Sequence, residues 1–208
     1  MTNPVRDLSI QLFRHLRLPR GVDVAWTAFV GEDVRLDYGD IVQPHARLEQ
    51  NVHLCQRVLV GRYALLSNIE VGEGSHIEYG VVVTGYGGGR IVVGKECYIG
   101  IRNVLDWSDN IVIGDYVHIA GPSTGLWTHS SVHQAASGHA LNDKTRRETR
   151  PIRIGECVYI GGNCTIYPGI TIGHHSIVAP NSAVAKDVAP YTMVGGVPAM
   201  VIRDIEHV

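Results

Sequence analysis

The chain of 208 residues carries little charge and no long apolar run. Only 18% of its residues are charged, and a formal net charge of −2 gives no general electrostatic reason to bind nucleic acid or an anionic membrane. The N-terminal arginines are followed by no continuous apolar core, which argues against a signal peptide and against a membrane span. We therefore expect a soluble, cytoplasmic protein.

Cysteine is also scarce. The four cysteines (Cys55, Cys97, Cys157 and Cys164) are scattered, and none forms a CxxC pair. The last three occupy positions that suit interior or flanking sites of the repeat described next. We therefore expect buried free thiols rather than disulfides or zinc ligands.

A six-residue repeat runs through most of the chain. Aliphatic residues recur at every sixth position in two long runs: Val24, Val30, Leu36, Val42, Leu48, Leu54, Val60 and Leu66, and then Ile154, Ile160, Ile166, Ile172, Val178 and Val184. If about one residue in four is aliphatic, the eight consecutive hits of the first run have chance odds on the order of one in tens of thousands. A period of six fits neither a helix nor a plain alternating strand, and it indicates short strands wound into three-sided coils.

Between these runs the repeat continues with small shifts of register. Further hexads begin at Val71, Ile77, Val83, Val93, Ile99, Leu105, Ile113 and Ile119. The total of about 22 hexads, at three per coil, predicts an all-β fold, a parallel β-helix of about seven coils spaced about 4.8 Å apart. A repeat of this extent also indicates one domain.

The segments outside the repeat are predicted to form a cap at each end of the β-helix and one long loop. Residues 1–21 have apolar positions three and four apart, which predicts a short helical cap on the first coil. The β-helix is predicted to occupy residues 22–188, with an excursion loop at 121–151. Residues 189–208 are predicted as a C-terminal cap with a short helix. A loop of about thirty residues is usually functional or disordered, and the aromatic and histidine residues in its first half favour function.

The C-terminal repeats carry a resemblance to a known family. The run IGECVYIGGNCTIYPGITIGHHSIVAPNSAVAKDVAPYTMVGGVPAMVIRDI resembles hexapeptide-repeat acyltransferases, especially sugar O-acetyltransferases of the galactoside and maltose acetyltransferase type. This resemblance implies a left-handed β-helix that works as a homotrimer with active sites between subunits. The handedness rests on the resemblance alone, since parallel crossovers are right-handed in about 98% of cases.

The resemblance also implies an acetyl-CoA-dependent O-acetyltransferase of polysaccharide biosynthesis, with a small sugar or glycan precursor as acceptor and no metal. Thr128-His129 matches the family's catalytic histidine by position, and His133 and His139 share its loop. A sugar hydroxyl needs a base to remove its proton, and imidazole, with a reference pKa of about 6.5, can accept one at neutral pH. By family position, the backbone amide of Gly162 would stabilise the tetrahedral oxyanion.

Motif positions imply the remaining site residues. The residues expected to bind acetyl-CoA are Tyr159, Gly161, Ala179, Pro180, Ala185, Lys186 and Arg203. The residues expected to bind the acceptor are Asn103, Asp109, Trp127 and His133. Sequence reasoning identifies no residue that would orient His129.

Three other functions stay open at this point. Transfer to the nitrogen of an amino sugar would use the same base and donor site. A zinc-dependent hydratase similar to γ-type carbonic anhydrases would need three histidines from neighbouring coils, and His118, His174 and His175 do not reproduce that spacing. A non-catalytic β-helix would leave His129 without a purpose.

Overall fold

The structure is a computed structural model that describes residues 18–140, 142–143 and 147–206. Most of its elements are parallel strands of two or three residues, stacked in three sheets that wind as a solenoid of about nine turns. The described residues contain one helix, α1 (Val132–Ala136). No helix in this part of the chain is long and apolar enough to cross a membrane.

Each turn contributes one strand to each of three faces, which we name A, B and C. Face A contains β1 (Asp23–Val24), β4 (Ile41–Val42), β7 (Leu59–Val60), β10 (His76–Ile77), β13 (Tyr98–Ile99), β16 (His118–Ile119), β21 (Tyr159–Ile160), β24 (Ile177–Val178), β26 (Thr192–Gly195) and β27 (Met200–Asp204). Face B contains β2 (Phe29–Val30), β5 (Arg47–Leu48), β8 (Leu65–Leu66), β11 (Val82–Thr84), β14 (Val104–Asp106), β17 (Gly125–Leu126), β22 (Thr165–Ile166) and β25 (Ala183–Val184). Face C contains β3 (Val34–Arg35), β6 (Val52–Leu54), β9 (Ile69–Val71), β12 (Ile91–Val93), β15 (Ile111–Ile113), β20 (Ile152–Ile154) and β23 (Thr171–Ile172).

The core is a column of the aliphatic residues that define the hexads. On face B, for example, Leu48, Leu66, Leu105 and Ile166 are all fully buried. Burying such a side chain stabilises the fold by roughly 1.5–3 kcal/mol relative to leaving it exposed. A small or β-branched residue often follows a hexad residue by four positions and fills the corner between two faces. Ala46 and Ala64, which follow Val42 and Val60 in this way, are examples. The predicted all-β parallel β-helix is thus confirmed as the fold class.

The solenoid has more turns than the seven that the hexad count predicts. Leu126, Val188 and Val194 are buried inward-facing residues that complete additional positions of the column. Leu126 follows Ile119 by seven residues and Val188 follows Val184 by four, so neither fits a strict period of six. Coils tolerate such changes because a corner can lengthen or shorten while the strand pairing is kept.

The excursion also begins later than its predicted start at residue 121. Strand β17 pairs in parallel with β14 and β22, so it belongs to the solenoid. The chain leaves the coil only after Leu126, forms the antiparallel pair β18 (His129–Ser130) and β19 (Glu148–Thr149), and returns at β20. Helix α1 lies within this excursion.

The predicted C-terminal helix is wrong, because residues 200–204 form strand β27. A turn after Gly195 reverses the chain, and β27 pairs antiparallel with β26. The reversal covers the last open edge of face A, which a helix would have left with unpaired backbone groups. The predicted N-terminal helix falls largely on residues 1–17, outside the described residues, and the domain boundaries at 21 and 188 stay predictions.

The cysteines follow the repeat only in part. All four are free; Cys97 and Cys164 are buried as expected. Cys157 is exposed and Cys55 is half-buried, because both stand at a corner between faces C and A rather than inside the column.

Candidate active site

The candidate site lies at a corner between faces B and C in two consecutive coils. Strands β14 and β17 pair with Leu105 opposite Leu126, both inward-facing. Because the two leucines are paired, the residues that directly follow them also lie next to each other at this corner. They bring Asp106 from one coil beside the 127–129 segment of the next.

His129 and Asp106 form the closest polar contact of the site. The Nδ1 atom of His129 lies 2.6 Å from the Oδ2 atom of Asp106. The Asp106 side chain is 1% exposed, whereas that of His129 is 25% exposed. With Nδ1–H donating to the carboxylate, the Nε2 lone pair is left to accept a proton. A buried carboxylate therefore orients a histidine that solvent can reach.

Several further donors hold the carboxylate of Asp106. Its Oδ2 atom accepts hydrogen bonds from the backbone N–H groups of Thr128 and His129, at 3.0 and 3.1 Å. Its Oδ1 atom accepts from the backbone N–H and the hydroxyl of Ser108, at 3.1 and 2.7 Å. Burial alone would raise the pKa of Asp106, but the hydrogen bonds from Ser108 and His129 outweigh it and lower that pKa. The carboxylate is therefore ionised at neutral pH.

The glycine-rich segment 84–90 buttresses this carboxylate from the preceding coil. The backbone N–H of Tyr86 donates to the Ser108 hydroxyl at 3.1 Å, which itself donates to Asp106. A Cβ atom on Gly85 would lie 2.7 Å from the Ser108 nitrogen and 2.8 Å from Asp106 Oδ1. Only glycine allows this approach, so the segment acts as a corner loop that supports the site.

Trp127 forms one wall beside the histidine. Its ring is half-buried and meets the His129 ring edge-to-face, with centroids 6.5 Å apart. A Cβ atom on Gly125 would lie 2.4 Å from the indole Nε1. Because Gly125 has no side chain, the Trp127 indole can pack directly over this position of β17.

Asp109 is close to the site, whereas Asn103 is enclosed in the scaffold. The backbone N–H of Asp109 donates to the Thr128 hydroxyl oxygen at 3.0 Å. Asn103 is 0% exposed, and its amide bonds the Ile119 and Ala120 carbonyls and the Thr124 N–H. Its side chain is thus committed to a corner, and we leave it out of the acceptor site.

His133 stands apart from the pair of His129 and Asp106. It lies on α1 with its side chain 79% exposed, and its Nε2 atom is 3.9 Å from Glu148 Oε1. His139 is exposed in the turn after α1.

The residues expected to bind acetyl-CoA lie at two different corners. Gly161, Gly162, Ala179 and Pro180 follow β21 and β24 and occupy the corner between faces A and B. Ala185 and Lys186 follow β25 at the corner between faces B and C, on the same edge as His129. Tyr159 points outward from face A and Arg203 lies on β27; both are exposed. Within this chain, Gly162 and His129 therefore lie at different corners of the solenoid.

Sequence reasoning missed Asp106, Ser108 and the buttressing role of the glycine-rich segment. Asp106 directly follows the hexad residue Leu105, which is the signal that could have found it. To place Asp106 beside His129, one must know that Leu105 pairs with Leu126 in the next coil. Leu126 follows Ile119 by seven residues rather than six, so the hexad pattern does not reveal this pairing.

Comparisons with known proteins agree with this architecture. A model of the bacterial transferase hexapeptide family (six repeats) matches residues 151–186. Galactoside O-acetyltransferase of Escherichia coli is 36% identical over 135 residues, which cover 65% of this chain but only 63% of that relative, less than two thirds of its length.

Two solved structures share the fold. A hexapeptide-repeat-containing acetyltransferase of Vibrio cholerae, solved with acetyl coenzyme A, is 36% identical with a TM-score of 0.54, and the match covers 66% of this chain and 71% of that chain. UDP-N-acetylglucosamine O-acyltransferase of Moraxella catarrhalis, 18% identical with a TM-score of 0.61 over 90% of this chain and 72% of that chain, supports the fold alone. The chain belongs to the hexapeptide-repeat acyltransferase family.

Proposed function

We propose that the protein transfers an acetyl group from acetyl-CoA to a hydroxyl of a sugar or glycan precursor. The observation that carries this proposal is the 2.6 Å contact between His129 Nδ1 and Asp106 Oδ2 beside a partly exposed ring. The similarity to a galactoside O-acetyltransferase and to an acetyltransferase solved with acetyl coenzyme A supports the donor and the reaction class.

In the proposed reaction His129 acts as the general base. Its Nε2 atom takes the proton of the acceptor hydroxyl while the oxygen attacks the thioester carbonyl. The tetrahedral intermediate collapses with cleavage of the C–S bond, and the imidazolium returns its proton to the departing CoA sulfur. Asp106 acts as a positioning residue that fixes the ring and stabilises the imidazolium.

The oxyanion and donor sites are proposed to come from a neighbouring subunit of a homotrimer. Gly162 would donate its N–H to the oxyanion, and Gly161, Ala179 and Pro180 would leave room for the narrow pantetheine arm. The separation of these residues from His129 at two corners of the same protomer supports a site between subunits. Exposed Lys186 and Arg203 are proposed to meet the CoA phosphates.

The acceptor is proposed to lie against Trp127 and Asp109, which flank the pair of His129 and Asp106. An indole face offers stacking to a sugar ring, and a carboxylate accepts hydrogen bonds from hydroxyls. His133 on α1 is proposed as an outer contact. Acetylation of an amino-sugar nitrogen would use the same groups.

The test is release of CoA from acetyl-CoA, measured with a panel of sugars, amino sugars and sugar nucleotides. The His129→Ala variant should lower kcat by about 10²–10⁴-fold with the acceptor that supports turnover. His139→Ala changes an exposed histidine of the same excursion, so it should keep the native rate. Native-like turnover by His129→Ala would contradict the proposed base, and absence of CoA binding in calorimetry would contradict the donor.

A further inference from the structure

A second cluster of reactive side chains lies on face C, away from the proposed acetyl-transfer site. His53 and Glu70 are cross-strand neighbours in the parallel pair β6–β9. Cys55 follows two residues after His53, just beyond the end of β6, where the chain turns from face C towards face A, and both side chains are half-buried. The sequence does not reveal this group, because Glu70 becomes a neighbour only through the pairing of successive coils.

The three ligand atoms are close enough to share one ion. One nitrogen of His53, the Sγ atom of Cys55 and one carboxylate oxygen of Glu70 all lie within 4.8 Å of one another. The Nδ1 atom of His53 is 3.8 Å from Glu70 Oε2. Zinc–ligand bonds of about 2.0–2.3 Å put tetrahedral ligand atoms about 3.3–3.8 Å apart, so small rotations of the half-buried side chains complete the geometry.

The surroundings of this cluster favour a cation. The carboxylates of Asp37, Asp40, Glu70 and Glu73 all act electrostatically on the Cys55 thiol. Arg90 donates from its Nη2 atom to Glu70 Oε2, the same oxygen that faces His53, at 2.7 Å. A carboxylate has about four lone-pair sites, so Glu70 can keep Arg90 and still offer an oxygen to a metal.

An open cavity gives access to the cluster. It has a volume of about 760 Å³ and is lined by two members of the cluster, His53 and Glu70, but not by Cys55; Asn51 and the end of the glycine-rich segment 84–90 complete this part of the lining. Three protein ligands leave a fourth tetrahedral position, and the cavity provides room for water or another small ligand there.

We propose that His53, Cys55 and Glu70 form a binding site for a zinc ion. On binding, the Cys55 thiol releases its proton to solvent, and the thiolate, one His53 nitrogen and one Glu70 oxygen coordinate Zn²⁺, with water as the fourth ligand. Nitrogen, sulfur and oxygen donors in a tetrahedral arrangement suit zinc better than magnesium or calcium. The site lies two to four coils from the pair of His129 and Asp106, about 10–19 Å along the axis, and it does not depend on the proposed acetyl transfer.

The test measures zinc binding by the full chain after chelator treatment, in competition with a chromogenic chelator. Native protein should bind one Zn²⁺ per chain, and Cys55→Ser should weaken binding at least tenfold. Cys157→Ser is the matched control, because Cys157 is a free, exposed cysteine at an equivalent corner, and it should bind as the native protein does. Co²⁺ as a probe should give a thiolate charge-transfer band that Cys55→Ser lacks and Cys157→Ser keeps.

Equal zinc affinity in the native protein and Cys55→Ser, or a cobalt spectrum without a thiolate band, would overturn the proposal. Circular dichroism and the melting temperature establish that each variant is folded. Should Cys55→Ser fail to fold, Glu70→Gln decides the question, since this half-exposed side chain can be changed without disturbing the column. Its zinc affinity should also fall at least tenfold, and a native affinity would overturn the site.

Discussion

Asp106 shows how one buried carboxylate can organise a site. Five backbone or hydroxyl donors and one imidazole converge on its two oxygens. His129 is part of the paired strand β18, and Ser108 and Thr128 each lie two residues beyond the end of a solenoid strand, so little freedom is left to the His129 ring. A charge that is buried without such partners would cost several kcal/mol.

The stability contributed by this carboxylate should depend on pH. Because folding lowers the pKa of Asp106, its contribution is present above the unfolded pKa, about 3.9, and is lost as the pH falls through the folded pKa. The stability gap between the native protein and Asp106→Asn should therefore be wide at neutral pH and narrower at about pH 3. Urea unfolding at both pH values measures it, and a gap independent of pH would contradict an ionised Asp106.

At the residue scale, chemistry was only partly readable from the sequence. Thr128-His129 stood out because the motif resembles a family signature, whereas Asp106 did not. An aspartate after a hexad leucine looks like any solvated corner residue until strand pairing brings it beside a histidine. Asn103 likewise reads as a polar contact for a ligand, but the corner uses its amide for three backbone groups.

At the scale of elements, close approach between successive coils limits the corners to small residues. A Cβ atom on Gly155 would lie 2.5 Å from the backbone nitrogen of His174 and 2.8 Å from its Cα. These are backbone atoms, so relief would require one coil to shift against the next. Overpacking of this kind costs roughly 1–3 kcal/mol.

We expect Gly155→Ala to lower the free energy of unfolding by roughly 1–3 kcal/mol. Gly88→Ala is the matched control, since a Cβ atom there meets nothing within 4 Å, and its effect should stay within about 0.5 kcal/mol. Chemical denaturation of both variants measures the difference. Equal stabilities would show that the coils can separate without cost at this corner.

The elements also mark what the repeat could and could not predict. Strands with strict hexads, such as β21 to β25, lie where the period puts them. The short spacing before Val188 and the long one before Leu126 hid two strand positions, because corners vary in length. β27 follows Pro198 and reads as a helix locally, but the open sheet edge determines its structure.

At the scale of the whole molecule, we propose that the site spans a subunit boundary. Gly162 and Pro180 stand at the corner between faces A and B, and His129 stands at the corner between faces B and C. If donor and base sites come from different protomers, two inactive variants can complement each other. Pro180 is exposed, so a large residue there should obstruct the donor groove without disturbing the column.

Co-expression of His129→Ala with Pro180→Trp should therefore give mixed trimers with partial activity. In some of their sites a native His129 from one subunit faces a native groove from its neighbour. Each variant alone should be inactive in CoA release while keeping the size of a trimer in light scattering. Mixed trimers as inactive as their parents would place the whole site within one protomer.

The most direct test of the central claim is the turnover number of Asp106→Asn in acetyl transfer, with the acceptor that supports native activity. This change keeps the size of the side chain and removes the charge that orients the His129 ring. We predict that kcat falls by about 10²-fold or more while acetyl-CoA binding is unchanged. A native kcat in this variant would contradict the role of the pair formed by Asp106 and His129.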